Sequence, residues 1–275
     1  MTAITPFFPR GAWIAALLFL AGLLPVSATT LLDEPFDTPG GLPEGWAFVN
    51  SNGTATVQVT EYQPNDARLL QGRPVSGGAA GSVISYSGTQ GDVVGGVLKD
   101  FEGSVVFALD GTLATHYRGV LLRAQTTVIT NAQAYFVVFN SSTLSITLNP
   151  ASSSNLGTTL ATATFENDAT LAENTDYLLR FSAEGNQLTA SIDGWNETTG
   201  QYDTPLGDIH YTIGTHESDP GYLTGKFGFR TYYGSGAGTY WSDLKITTIP
   251  EPASLTLLGL ALTVAALRFR SAGRM

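Results

Sequence analysis

The side chains of this 275-residue chain that could do chemistry are aromatics beside strand turns, a few scattered acids and three lone histidines. Tyr232, Tyr233, Tyr240 and Trp241 flank a Gly-Ser-Gly-Ala-Gly run, and Trp195, Tyr202 and Tyr222 lie in a long excursion between strand-like segments. Sugar rings present apolar C–H faces that stack on such rings, with Asp, Asn and Arg supplying hydrogen bonds. Trp195, Tyr202, Tyr232 and Trp241 are therefore the candidate carbohydrate-binding residues. The competing reading is core packing, because a strand turns half of its aromatics inward. Trp46 is expected to plug the core.

The acids suggest two further chemistries. Asp33, Glu34 and Asp37 stand near the start and Asp243 near the end of the strand-rich region. If the first and last strands lie side by side, a structural calcium ion could bridge Asp33, Asp37 and Asp243; solvated surface charge is the alternative. No other cofactor is expected. Glycoside hydrolysis needs two carboxyl groups facing each other across a sugar bond. Glu166-Asn167-Asp168 is followed by Ala169, Thr170 and Leu171, so no third acid follows, and the segment reads as a loop. Acids drawn from separate places, such as Glu102, Asp193 and Asp243, keep an enzymatic alternative open.

Other reactive types are sparse. His116, His210 and His216 have no partner at metal-ligand spacing. The chain has no cysteine, which excludes disulfides, thiolate metal sites and cysteine nucleophiles. No Gly-x-Ser-x-Gly elbow selects a nucleophilic serine. No catalytic residue is assigned, and a non-enzyme is the preferred reading.

These side chains must be positioned by strands. Tyr177, Leu179, Phe181 and Ala183 alternate with Arg180, Ser182 and Glu184; after Gly185-Asn186, Leu188, Ala190 and Ile192 alternate with Gln187, Thr189, Ser191 and Asp193. Two such runs around a tight pair predict a β-hairpin. Further strands are expected over Gly103–Leu109, His116–Gln125, Ala132–Phe139, Thr143–Leu148, Thr158–Phe165, Gly225–Tyr233 and Thr239–Thr247. Tyr135-Phe136-Val137-Val138-Phe139 is apolar throughout, the pattern of a strand covered on both faces. The excursion from Gly194 to Tyr222 reads as a long loop, or as a loop with an added strand over Asp208–Ile213. No helical repeat appears between residues 30 and 248, and a sandwich or jelly roll follows.

The two ends differ from this body. Arg10 precedes an apolar run from Gly11 to Leu24, and Val26-Ser27-Ala28 supplies small residues, the pattern of a secretory signal helix over residues 1–28. At the other end, Pro250-Glu251-Pro252 precedes an apolar stretch from Ala253 to Leu267 and then Arg268, Phe269, Arg270 and Arg274. The sixteen uncharged residues from Pro252 to Leu267 reach roughly 24 Å as a helix, short for a bilayer, and the arginines behind them fit the positive-inside rule. A transmembrane helix is expected there. The domains expected are thus residues 1–28, a sandwich over 29–248, and a tail over 249–275.

Taking Arg10, Arg268, Arg270, Arg274 and Glu251 from the 13 basic and 23 acidic residues leaves the body near −13. Such a surface repels phosphate backbones, so nucleic acid is excluded as a partner.

The tail resembles the PEP-CTERM sorting signal of bacteria that build polysaccharide-rich envelopes. In that family exosortase, a membrane transpeptidase-like enzyme, is thought to act on the tripeptide region. The resemblance implies recognition of Pro250, Glu251, Pro252, Arg268 and Arg270, with exosortase, the inner membrane and exopolysaccharide as partners. It also implies export to the cell surface or extracellular matrix after a membrane-anchored stage.

A second resemblance covers about 210 residues. Glu34-Pro35-Phe36-Asp37 with Gly41-Leu42-Pro43-Glu44-Gly45-Trp46 is followed in order by Gly119-Val120-Leu121-Leu122-Arg123-Ala124 and Tyr177-Leu178-Leu179-Arg180. Leu188 to Gly194, Gly225-Lys226-Phe227-Gly228-Phe229-Arg230 and Trp241-Ser242-Asp243 complete it. This order is similar to concanavalin A-like jelly rolls, especially a laminin-G-like branch that includes keto-disaccharide hydrolases. The expectation is an all-β antiparallel sandwich flanked by a signal helix and a transmembrane helix. The chain would be exported and bind polysaccharide without catalysis. A glycoside hydrolase and a purely structural envelope protein are the alternatives.

Overall fold

The computed structural model describes residues 28–50, 56–72, 80–88, 95–110, 117–126, 132–149, 156–233 and 238–249. Residues Thr30–Thr248 form one compact unit. Its strands, in chain order, begin with β1 (Thr30–Glu34), β2 (Trp46–Asn50), β3 (Thr56–Gln63), β4 (Asp66–Gly72) and β5 (Ala80–Tyr86). Then come β6 (Val97–Leu98), β7 (Phe101–Asp110), β8 (Tyr117–Thr126), β9 (Gln133–Phe139), β10 (Thr143–Leu148) and β11 (Thr158–Thr164). The last five are β12 (Asp176–Glu184), β13 (Gln187–Asn196), β14 (Gln201–Thr212), β15 (Gly225–Tyr233) and β16 (Gly238–Thr248).

They form two eight-stranded antiparallel sheets. Sheet A runs β14-β13-β12-β7-β16-β4-β3 with β1 paired to β16; sheet B runs β11-β10-β9-β8-β15-β5-β2 with β6 paired to β15. The expected hairpin is β12–β13, in register from Tyr177↔Gly194 to Glu184↔Gln187. Period-two alternation turns Tyr177, Leu179 and Phe181 inward to meet Phe107, Phe227 and Trp241 in the core between the sheets. Trp46 stacks on Phe229 at 5.5 Å, and Phe229 lies 4.7 Å from Trp241. β9 is buried on both faces, since Tyr135, Val137 and Phe139 face the core while Ala134, Phe136 and Val138 join a second apolar cluster.

Two of the motif glycines have a steric reason. A Cβ on Gly119 would overlap the Val137 carbonyl oxygen, and one on Gly225 would overlap the Arg123 backbone. Arg123 is wholly buried. It donates to Lys99 O at 3.2 and 3.0 Å, Gly185 O at 2.8 Å, Tyr222 O at 3.4 Å and Asp100 Oδ1 at 3.2 Å. One guanidinium thus ties three connecting segments to β8.

The flanking-helix part of the expected fold is corrected. Among the described residues the only helical element is the 3₁₀ turn Glu166–Asp168, and no helix is long and apolar enough to cross a membrane. Residues 1–27 and 250–275, with Pro250, Glu251, Pro252, Arg268 and Arg270, lie outside the described residues. The transmembrane helix, exosortase, the inner membrane and membrane-anchored export therefore rest on no element of the fold, and they are dropped from the functional reading. The excursion from Gly194 is mostly strand: β14 takes in most of the added strand expected over Asp208–Ile213 and starts earlier, with register shifts at Asp193 and Trp195, which leaves the 197–200 turn and the 213–224 loop.

Candidate functional site

The outward face of sheet A collects the candidate chemistry. On β12 the residues opposite the core are Asp176, Leu178, Arg180, Ser182 and Glu184; on β13 they include Asp193. Arg180 Nε donates to Asp193 Oδ2 at 2.9 Å, and its Nη2 reaches Tyr202 O at 3.4 Å. Trp195 and Tyr202 are cross-strand partners, and their rings meet edge to face at 5.1 Å and 72°. Trp195 is 44 % exposed, the only tryptophan among the exposed large apolar side chains described. A flat apolar ring facing water beside a half-exposed guanidinium and a carboxylate has the composition of a sugar-stacking platform.

Beside this platform lies a polar cluster that sequence reading missed. Arg68 Nε donates to Asp66 at 3.1 and 3.0 Å and Nη2 to Asp66 Oδ2 at 2.7 Å. Its Nη1 reaches Asp176 Oδ1 at 2.6 Å and Nη2 reaches Asp176 Oδ2 at 2.9 Å. The guanidinium sits 4.2 Å from the centroid of Tyr62, whose ring lies 4.7 Å from Tyr240. Burial works against the charge of Arg68, but the hydrogen bonds to Asp176 and Asp66 overcome it and hold its proton more tightly than usual. The Tyr202 phenol is pushed up to about 12, by burial first and then by the negative charge of Asp176, with Arg68 opposing. Asp243 and Asp66 add to that push, so platform and cluster share one electrostatic environment. The signal for the cluster was Asp66-x-Arg68, two charges on one face of a strand; the partner 108 residues away carried none.

The four aromatic candidates do not converge. Trp241 is fully buried in the core, with Nε1 donating to Gln71 Oε1 at 3.1 Å, so it presents no ring to solvent. Tyr232 belongs to sheet B, opposite Tyr117. Only Trp195 and Tyr202 meet. The first and last strands pair as required for the calcium candidates, with Asp33 opposite Lys245. Asp37 accepts from its neighbour Thr38, and Asp243 sits exposed in a bulge with φ 51°. Among the described residues no group of three His, Cys, Asp or Glu side chains converges.

The carboxylates of the enzymatic alternative are likewise dispersed. Glu102 accepts from Thr247 Oγ1 at 3.3 Å, and Asp193 is held by Arg180. Asp66 and Asp176 do share one guanidinium nitrogen. Both accept from it, whereas glycoside cleavage needs one carboxyl that donates a proton. His210 is exposed, and His216 Nδ1 accepts from the Ser218 amide at 3.2 Å. His116 and the glycine run over 234–237 lie outside the described residues.

A second carboxylate secures the 213–224 loop. Asp219 accepts from Tyr135 Oη at 2.6 Å, Tyr211 Oη at 2.8 Å, Gly214 N at 2.8 Å and Gly221 N at 2.9 Å. Burial raises its pKa, but these bonds together take it below the usual value.

No family model matches the chain, and no curated protein matches it. Solved structures do. The lectin UEA-II complexed with galactose is similar at 9% identity and TM-score 0.51, over 82% of this chain and 100% of that one. Peanut lectin is similar at 10% identity and TM-score 0.51, over 82% and 98%. A Bacillus subtilis protein of unknown function with a galectin-like fold gives 9% identity and TM-score 0.51, over 82% and 99%. At such identities the similarity speaks for the backbone alone. This chain has a lectin-like, all-β jelly-roll fold.

Proposed function

We propose that this protein is a non-catalytic glycan-binding protein and that the outward face of sheet A is its binding surface. The observation that carries the proposal is the exposed Trp195 ring, braced edge-on by Tyr202 and flanked by the Arg180–Asp193 pair. The ring offers a stacking surface. Arg180 and Asp193 offer a donor and an acceptor to sugar hydroxyls, and their mutual hydrogen bond, with that of Arg180 to Tyr202 O, orients both before a ligand arrives. The lectin-like fold supports the reading, because the UEA-II lectin is a galactose complex on a similar backbone. Binding without cleavage follows from carboxylates that accept from arginines instead of facing each other across a groove.

Affinity electrophoresis through polysaccharide-containing gels tests this. The full-length chain is expected to be retarded by at least one polysaccharide, and Trp195→Ala to migrate as if none were present. Equal retardation of both proteins would refute the assignment of the site.

A further inference from the structure

The charges around the Trp195 platform select among glycans. Four aspartates, Asp66, Asp176, Asp193 and Asp243, surround it against two arginines, Arg68 and Arg180. Arg68 lies on this face but offers little to solvent: its side chain is 8% exposed, and its Nε, Nη1 and Nη2 all donate to Asp66 and Asp176. Arg180 spends its Nε on Asp193. Lys245, farther along β16, stands opposite Asp33. What remains toward solvent is an aromatic ring, part of one guanidinium and a surplus of acceptor oxygens. The whole chain adds to this bias with a formal charge of −10.

Resting on the glycan-binding reading, we infer that the ligand is an uncharged glycan, hydroxyl-rich and free of carboxylate, sulfate and phosphate groups. Hydroxyl groups donate to the aspartate oxygens while a C–H face lies on Trp195. An acidic sugar would instead bring its own negative charge to a partly desolvated setting where four aspartates against two arginines already leave a negative surplus, with both guanidinium groups engaged by those aspartates. An envelope or matrix polysaccharide rich in uronate is thereby disfavoured as the partner.

Matched polysaccharides that differ only in charge supply the test. Dextran is set against dextran sulfate, hydroxyethylcellulose against carboxymethylcellulose, and methyl-esterified against de-esterified galacturonan. The full-length chain is expected to bind the neutral member of at least one pair about tenfold or more tightly than its charged partner. Raising NaCl from about 20 to about 500 mM should change neutral binding by less than about twofold, because no ion pair is screened. Equal or tighter binding of the charged members would overturn the inference while leaving the glycan-binding reading intact. Binding to no member of any pair would overturn that reading and the inference with it.

Discussion

Arg68 reaches Asp176 across two intervening strands. The guanidinium starts on β4 and contacts β12, while β16 and β7 lie between them in the sheet. Small outward residues make the crossing possible: Ser242 on β16, with Val106 and Ala108 on β7, lie along the path and are buried. One side chain therefore braces four strands on their outward face, behind the Trp195 platform.

Replacing Arg68 with Leu leaves Asp66 and Asp176 crowded over an apolar patch without their cation. A loss of about 3 kcal/mol is expected, near the low end for a broken buried pair because the carboxylates stay about a third exposed. Urea denaturation checks this, and the Tyr202 phenol titration should move at the same time.

The two tryptophans of opposite burial should separate stability from binding. Trp241→Phe removes the hydrogen bond to Gln71 and opens a cavity in the aromatic core. It should lower stability by about 2–3 kcal/mol and leave glycan retardation intact. Trp195→Ala should do the reverse, moving the melting temperature by no more than about 2 °C.

Asp219 makes the 213–224 loop sensitive to acid. Its folded pKa lies below the unfolded value, so its stabilising contribution is complete above the unfolded pKa, near 4, and disappears as pH falls through the folded pKa. Amide exchange at Gly214 and Gly221 should accelerate in that acid window ahead of the β12–β13 hairpin. Asp219→Asn should show fast exchange at these amides already at neutral pH.

Gly119→Ala tests the steric reading of the β8 motif. Its new methyl group would overlap the Val137 carbonyl, forcing β8 and β9 apart at the centre of sheet B. Loss of soluble folded protein, or a destabilisation of about 3 kcal/mol or more, is expected by circular dichroism against denaturant.

How much of this was legible in the sequence depends on the range of the interaction. The β12–β13 hairpin was readable because its pattern and its turn are local. So was the double burial of β9, which is apolar at every position from Ala134 to Phe139. Trp195 and Trp241 looked alike, since each follows an alternating run. Trp195 keeps the face that the alternation of Gln187, Thr189, Ser191 and Asp193 assigns it, because the register shifts there put the extra residues on β14, whereas the bulge just past Ser242 lies in β16 itself and decides the face of Trp241 without any signal in composition. β14 was read in part because Pro205 and its register shifts break the period-two pattern. Arg68–Asp176 depends on the order of four strands, which no local pattern encodes.

The most direct test of glycan binding on the outward face of sheet A is an NMR titration that follows the tryptophan indole N–H signals, with Trp195 assigned by Trp195→Phe. With a retarding neutral polysaccharide or its oligosaccharides, the Trp195 signal should shift in proportion to occupancy while the buried Trp241 signal stays fixed. A saturating titration that moves other signals and leaves Trp195 unchanged would contradict the account.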